Sequence, residues 1–356
     1  MIAIHYVPQK QLEKELSLIE QQGRRALLVL EHAPQASVLH HSSGFAYQPP
    51  LLQQLSGLYA IDEQPSAGCC ELWTAEGYWQ QGHWPVQHVS DCAIDYCFNE
   101  HYLLGCLSIE LPVDYSLEQY SNYFYQQINA FINTQQKPNL LRMWNYFPDI
   151  NAQDNQLERY QQFCVGRYHA FENTIEQYPA ASAVGSYSAN PAAANMVLLF
   201  IATFTEGGFV ENPNQLSAYN YPASYSPKSP SFARAAVYPL AAASQQLYIS
   251  GTASIVGHQS LFQGDIQAQT RQILKNLETL IRYTNEQQRK LPAFSIHASA
   301  TFSPAIKVYL RHPDDLLKVR PIIAEFLPDD TNVCYLHADI CRRELDIEIE
   351  LLIHSS

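Results

Sequence analysis

The sequence predicts an α+β protein of two similar domains, each a mixed sheet with helices packed on one face. Three observations carry this reading. The chain has 356 residues, more than one hydrophobic core usually accommodates. Hydrophobic residues make up 47%, ample for two packed cores and too many for a disordered chain. The second half spells the order β-α-β-α-β-β, and the first half repeats it with other residues.

The elements follow in order. In the first half, residues 102–109 read as a strand, 116–134 as a helix and 140–147 as a second strand; 157–178 read as a long helix and 196–203 as a buried strand. In the second half, residues 247–249 form a strand. Asp265 is placed to cap a helix whose Ile266, Ile273, Leu274, Leu277, Leu280 and Ile281 share one face. Residues 305–311 (A-I-K-V-Y-L-R) alternate as a strand, and His312-Pro313-Asp314-Asp315 opens another helix with proline and acids in its first turn. Strands at 333–340 and 345–354 close the pattern. The expected boundary separates an N-terminal domain, 1–205, from a C-terminal one, 206–356. At the junction, 205–239 is an aromatic loop rich in Gly, Pro, Asn, Ser and Tyr, of the kind that carries function.

A formal net charge of −13 argues against a nucleic-acid partner. It also makes each arginine in a neutral stretch conspicuous. Eight cysteines without a C-x-x-C spacing point to a reducing cytoplasm rather than a disulfide framework or metal clip. The opening Met1-Ile-Ala-Ile-His lacks a leader pattern, and the most apolar run, 196–204, is too short to cross a bilayer. The expectation is a soluble cytoplasmic protein, a monomer or small homo-oligomer, with no membrane partner, no metal and no cofactor.

The stretch L-Y-I-S-G-T-A-S-I, followed by G-D-I-Q-A-Q-T-R-Q-I-L-K-N-L, resembles the signature of Rid/YjgF-like proteins, over roughly residues 246–353. Upstream, N-Y-F-P-D-I-N at 145–151, E-R-Y-Q-Q-F-C-V-G-R at 158–167, E-N-P-N-Q at 211–215, Y-N-Y-P and S-F-A-R at 231–234 are similar to the chorismatase family, the FkbO-like enzymes that remove pyruvate from chorismate. The resemblance implies two Rid/YjgF-like (chorismate-mutase-like) domains with one pocket beside the C-terminal domain. It also gives the small-residue S-G-T-A-S loop a purpose: Gly251 and Ala253 would let backbone and a planar ring come close.

Chorismate is a dianion, and its pocket needs cations, preferably forked guanidinium groups. The resemblance implies that Tyr160 and Arg167, two helical turns apart, grip one carboxylate, and that Arg234 with Tyr221 grips the other. Arg311 is a further carboxylate candidate. His258 and Asp265 read as loop-bonding and helix-capping residues, and Arg142, outside the matched motifs, as dispensable. In L-D-I-E-I-E-L-L-I, Leu345, Ile347, Ile349 and Leu351 point one way and Asp346, Glu348 and Glu350 the other. Periodicity alone reads that acidic face as solvated. The resemblance instead makes Glu348 the proton donor, its acidity weakened by Asp346 and Glu350 beside it. Cys341 stands where the family varies with product, and a cysteine there accompanies 3-hydroxybenzoate formation. Ala253 pulls the other way, since those enzymes prefer glycine at or next to that place. The implied activity is pyruvate release from chorismate with 3-hydroxybenzoate as product. Hydrolysis to a dihydroxycyclohexadiene carboxylate and a Rid-type imine hydrolase remain the alternatives.

Overall fold

A computed structural model describes residues 1–32, 51–54, 58–61, 69–89, 92–112, 116–136, 138–154, 156–187, 195–240, 244–288, 291–296, 303–327 and 332–355. Its two main sheets share one topology. In the first, the strands lie in the order Ala180–Ser186, Asn139–Pro148, Asn195–Thr203, Tyr102–Glu110, Ala93–Phe98 and Gln80–Pro85. In the second, Asn332–His337, Ala305–Leu310, Ile347–His354, Gln245–Thr252, Ala235–Pro239 and Gly208–Val210 take the same places, with Tyr59–Ala60 added at one edge. The parallel pairing falls at the same position in both, Ala180–Ser186 on Asn139–Pro148 and Asn332–His337 on Ala305–Leu310. The repeat read from element order is therefore a repeat of strand order and direction, and the fold is α+β with two mixed sheets, as expected.

The main sheets pack face to face, so both faces of each are covered. Trp144, Tyr146, Leu199, Tyr248 and Tyr309 meet in the core between them. Outside, α2 (Leu117–Thr134) and α3 (Arg159–Phe171) cover the first sheet through Phe124, Ile128, Phe131 and Phe163. Helices α4 (Ile266–Gln287) and α5 (Leu316–Phe326) cover the second through Ile273, Leu277, Leu280, Val319 and Ile323. A third sheet, in the order Ile2–Pro8, Cys69–Glu76, Arg24–His32, Leu51–Gln54, carries α1 (Leu12–Gln21) and adds Trp73 to the central core.

Local chemistry sets the helix ends. Asp265 does cap α4, accepting from the Ala268 amide at 3.0 Å. Helix α3 opens on a capping box in which Gln161 accepts from the Glu158 amide at 3.0 Å. It stops at Phe171, well short of the expected 178. The Thr174 hydroxyl donates back to the Ala170 and Phe171 carbonyls, and Asn173 takes a left-handed φ of 63°. Gly166 is required for the α2–α3 approach, because a Cβ there would sit 2.2 Å from the Glu118 carbonyl oxygen.

Candidate active site

A cavity of about 320 Å³ lies where α3, the Ala180–Ser186 strand, the 221–234 loop, Gly251–Ala253 and the turn before the closing strand converge. Small-molecule sites begin at about this size. Tyr160, Arg167, Tyr221, Arg234, Gly251, Ala253, Cys341 and Glu348 all line it. Arg311 does not. Its guanidinium is tied to Asp339 and Asn151 and donates to the carbonyls of Ile340, Arg342 and Leu345. That saturated fork shapes the turn that delivers Cys341 to the cavity.

The cations are buried and incompletely bonded. Arg234, 4% exposed, donates to the Tyr221 hydroxyl at 2.7 Å and the Leu216 carbonyl at 3.0 Å, so the expected pair is in contact. Arg167, 2% exposed, lies over the rings of Tyr125 and Phe171 at 5.1 and 5.2 Å. Among the described residues the Nε of each arginine and the hydroxyls of Ser226 and Ser231 lack a hydrogen-bond partner, and all four residues line the cavity. Buried polar groups normally find partners, and these four residues concentrate unmet polar capacity at the cavity wall. Sequence reasoning missed a third guanidinium. Arg342 lies 4.2 Å over the Tyr225 ring and donates to the His258 carbonyl at 2.9 Å and Ser260 Oγ at 3.0 Å. Its position directly after Cys341 was the available signal. His258 takes part in the loop through its backbone carbonyl, and its ring meets Tyr225 edge-on at 5.6 Å.

Glu348 is 4% exposed. Burial pushes its carboxyl up to about 8, the neighbouring Glu350 carboxylate adds to this, and Arg142 and Arg234 oppose it. Among the described residues it forms no ion pair. Asp346, expected to contribute, does not. It is held at the strand's start by Gln269 and Arg311. The acidic face is not solvated either, because the other main sheet covers it. Gly251 makes room for the acid: a Cβ there would stand 1.9 Å from Glu348 Oε1 and 3.1 Å from Ser182 Oγ. The Cys341 thiol is raised to about 12 by burial and by Glu348. It stays protonated at neutral pH and is a weak hydrogen-bond group, not a nucleophile.

Glu350, two residues further on the same face, has the opposite chemistry. It accepts from Trp144 Nε1 and Arg142 Nη2, both at 2.8 Å, and from Ser182 Oγ, and it pairs with Lys307 at 3.1 Å. Burial pushes its carboxyl up, but Lys307 and Arg142 outweigh this and keep it ionised. Lys307 also holds Glu71 at 2.8 Å, and Glu71 accepts from Trp73 Nε1 at 2.7 Å. Arg142 is therefore not dispensable. It is 1% exposed, lies 4.5 Å over the Trp144 ring and is paired in the interior. Removing one partner of such a pair typically costs about 3–5 kcal/mol.

Comparison with known proteins adds the family. A family model described as "Chorismatase FkbO/Hyg5-like, N-terminal" matches residues 73–202. A 3-hydroxybenzoate synthase from Streptomyces hygroscopicus is 38% identical over 222 residues, 59% of this chain and 62% of that protein, so the match spans less than two thirds of that relative. A chorismatase from Streptomyces rapamycinicus is 33% identical over 286 residues, covering 79% of this chain and 80% of the relative. A crystal structure of a chorismatase superposes with a TM-score of 0.77 at 24% identity, over 99% of this chain and 98% of the other, and so shares the fold. Among the described residues no helix is long and apolar enough to cross a membrane.

Proposed function

The chain belongs to the chorismatase family, and from that premise we propose that it releases pyruvate from chorismate by general acid catalysis at Glu348. The single observation that carries the reading is a carboxyl held near 8 in a cavity that three buried or half-buried guanidinium groups share. An enol ether is cleaved after protonation at its terminal methylene, and a donor for that step must still hold its proton at neutral pH. Glu348 supplies the proton. Arg167 with Tyr160, and Arg234 with Tyr221, hold the two substrate carboxylates and fix the enolpyruvyl arm against the acid.

Protonation leaves an oxocarbenium-like carbon next to the ether oxygen. Participation of the ring hydroxyl then releases pyruvate and aromatises the ring to hydroxybenzoate, with no net water consumed. Attack by water instead gives pyruvate and a dihydroxycyclohexadiene carboxylate, consuming one water. Cys341 favours the first route: its thiol holds water less well than an amide or hydroxyl would. We therefore assign 3-hydroxybenzoate as the main product. The experiment is to run chorismate to completion, quantify pyruvate and identify the ring product by chromatography. One pyruvate per chorismate and a 3-hydroxybenzoate peak are expected. Glu348→Gln should bind chorismate and lose about 10²–10⁴ in turnover. No pyruvate from the wild type would overturn the reading, and a non-aromatic diene acid would overturn the product.

A further inference from the structure

We propose that Glu350 is a positioning residue for the reaction: its carboxylate, fixed by Arg142, Lys307, Trp144 and Ser182, adds a like charge beside the buried Glu348 and, through Ser182, steadies the Gly251 backbone on which the Glu348 carboxyl rests. The inference rests on Glu348 being the proton donor.

The geometry makes one unit of these groups. Glu348 and Glu350 share a face of Ile347–His354, opposite Tyr309 and Lys307 of Ala305–Leu310. Ser182 Oγ accepts from Arg142 Nη2 at 2.6 Å and from the Gly251 amide at 2.9 Å while donating to Glu350. One hydroxyl thus ties the carboxylate of Glu350 to the backbone on which the Glu348 carboxyl rests. The main ladder breaks at this place: the register between Gln245–Thr252 and the closing strand shifts between Ile249 and Thr252. The freed Gly251 amide is what turns to Ser182.

The charges explain why two glutamates on one face behave differently. From its own strand Glu348 faces Glu350; from the opposite sheet and the 221–234 loop it faces Arg142 and Arg234. The thiol of Cys341 and the phenol of Tyr160, both raised by burial, complete its titratable surroundings. Arg142 and Lys307 bond Glu350 directly, whereas Glu348 has no such contact and is reached by Arg142 only through space. The third sheet enters through Glu71, which shares Lys307 and lies 3.5 Å from His32 Nε2; burial pushes that imidazole toward its neutral form, so these pairs balance at two cations and two anions. Glu348 stands outside those pairs, where burial and the Glu350 charge favour its neutral form against the opposing fields of Arg142 and Arg234.

The test is the pH dependence of pyruvate release. Glu350→Gln removes the like charge and keeps the shape, so the alkaline limb of kcat should move down by about one pH unit or more. Glu350→Asp retains the charge and should leave the limb near its wild-type position. Ser182→Ala breaks the tether without changing charge, so it should lower kcat with the limb in place. A limb unmoved in Glu350→Gln, with activity reduced equally at every pH, would make Glu350 merely structural and overturn the proposal. Should Glu350→Gln not fold, infrared titration of the wild type reads the same point without activity. One buried carboxyl band must persist to neutral pH in the wild type and be missing from Glu348→Gln; its absence from the wild type, or its survival in Glu348→Gln, overturns the proposal. If the wild type released no pyruvate, the proposed reaction would fall, while that titration would still decide which glutamate holds a proton.

Discussion

Gly251→Ala separates stability from catalysis more sharply than any change to a charged residue. The backbone at Gly251 has no left-handed φ, so alanine fits it without strain, and the loss of a strand-interior glycine favours folding by a few tenths of a kcal/mol. The new Cβ would stand 1.9 Å from Glu348 Oε1 and 2.6 Å from Glu348 Cδ. Ordinary contact lies near 3.4 Å, so the carboxyl must withdraw by more than about 1 Å. Ser182 Oγ, at 3.1 Å, needs to give only a few tenths. Because the atoms that move end a side chain, the unfolding temperature should change by only a few degrees. A donor misplaced by about 1 Å costs on the order of 10² in rate, or about 2.7 kcal/mol of transition-state stabilisation. The assay is initial-rate pyruvate release over a range of chorismate, with calorimetric binding and thermal unfolding on the same samples. The expected result is a kcat lower by about 10² with Kd and Tm close to wild type. A kcat within threefold of wild type would mean that the acid does not work from the place beside Gly251, and would refute the reasoning.

Other changes have equally definite outcomes. Arg167→Ala and Arg234→Ala should each raise KM strongly, by the roughly 2–5 kcal/mol of a carboxylate left without its partner, and steady-state kinetics would show it; an unchanged KM removes that arginine from the clamp. Gly166→Ala should weaken folding and distort the site together, since its Cβ meets the Glu118 carbonyl 2.2 Å away, and a Tm equal to wild type would contradict this. Glu348 is raised in the folded state to about 8, so the folded protein binds the extra proton and stability falls as pH rises from about 4.5 toward 8. Glu348→Gln lacks that proton, so its Tm should exceed wild type by a margin that grows from pH 5 to pH 8; a constant margin would show that the acid titrates normally. Cys341→Gln should shift the ring product from hydroxybenzoate toward the hydrolytic diene, as read by chromatography.

How much of this was legible beforehand depended on the range of the interaction. Periodicity and caps are local, so α2 and α4, the Asp265 cap and the closing strand were found within a few residues of their places. Burial of a strand's second face is not local. Asp346, Glu348 and Glu350 alternate like a solvated edge, and only the opposing sheet, reached through Trp144 and Ser182, makes that face an interior. The residues that line the cavity could be named together because the quoted motifs group them. The charges that support them are scattered, with Arg142 and Glu350 lying 208 positions apart. Even so, a signal was present. Arg142 sits in L-L-R-M-W, Lys307 in A-I-K-V-Y and Glu71 in C-C-E-L-W, each a charge inside an apolar strand. An isolated buried charge is prohibitively unstable, so each such residue announces a partner elsewhere in the chain. Pairing Arg142 and Lys307 with Glu71 and Glu350 uses these two strand cations on two of the three interior glutamates. The remaining one is Glu348, which makes no ion pair among the described residues; burial first and Glu350 second favour its protonated form, against Arg142 and Arg234.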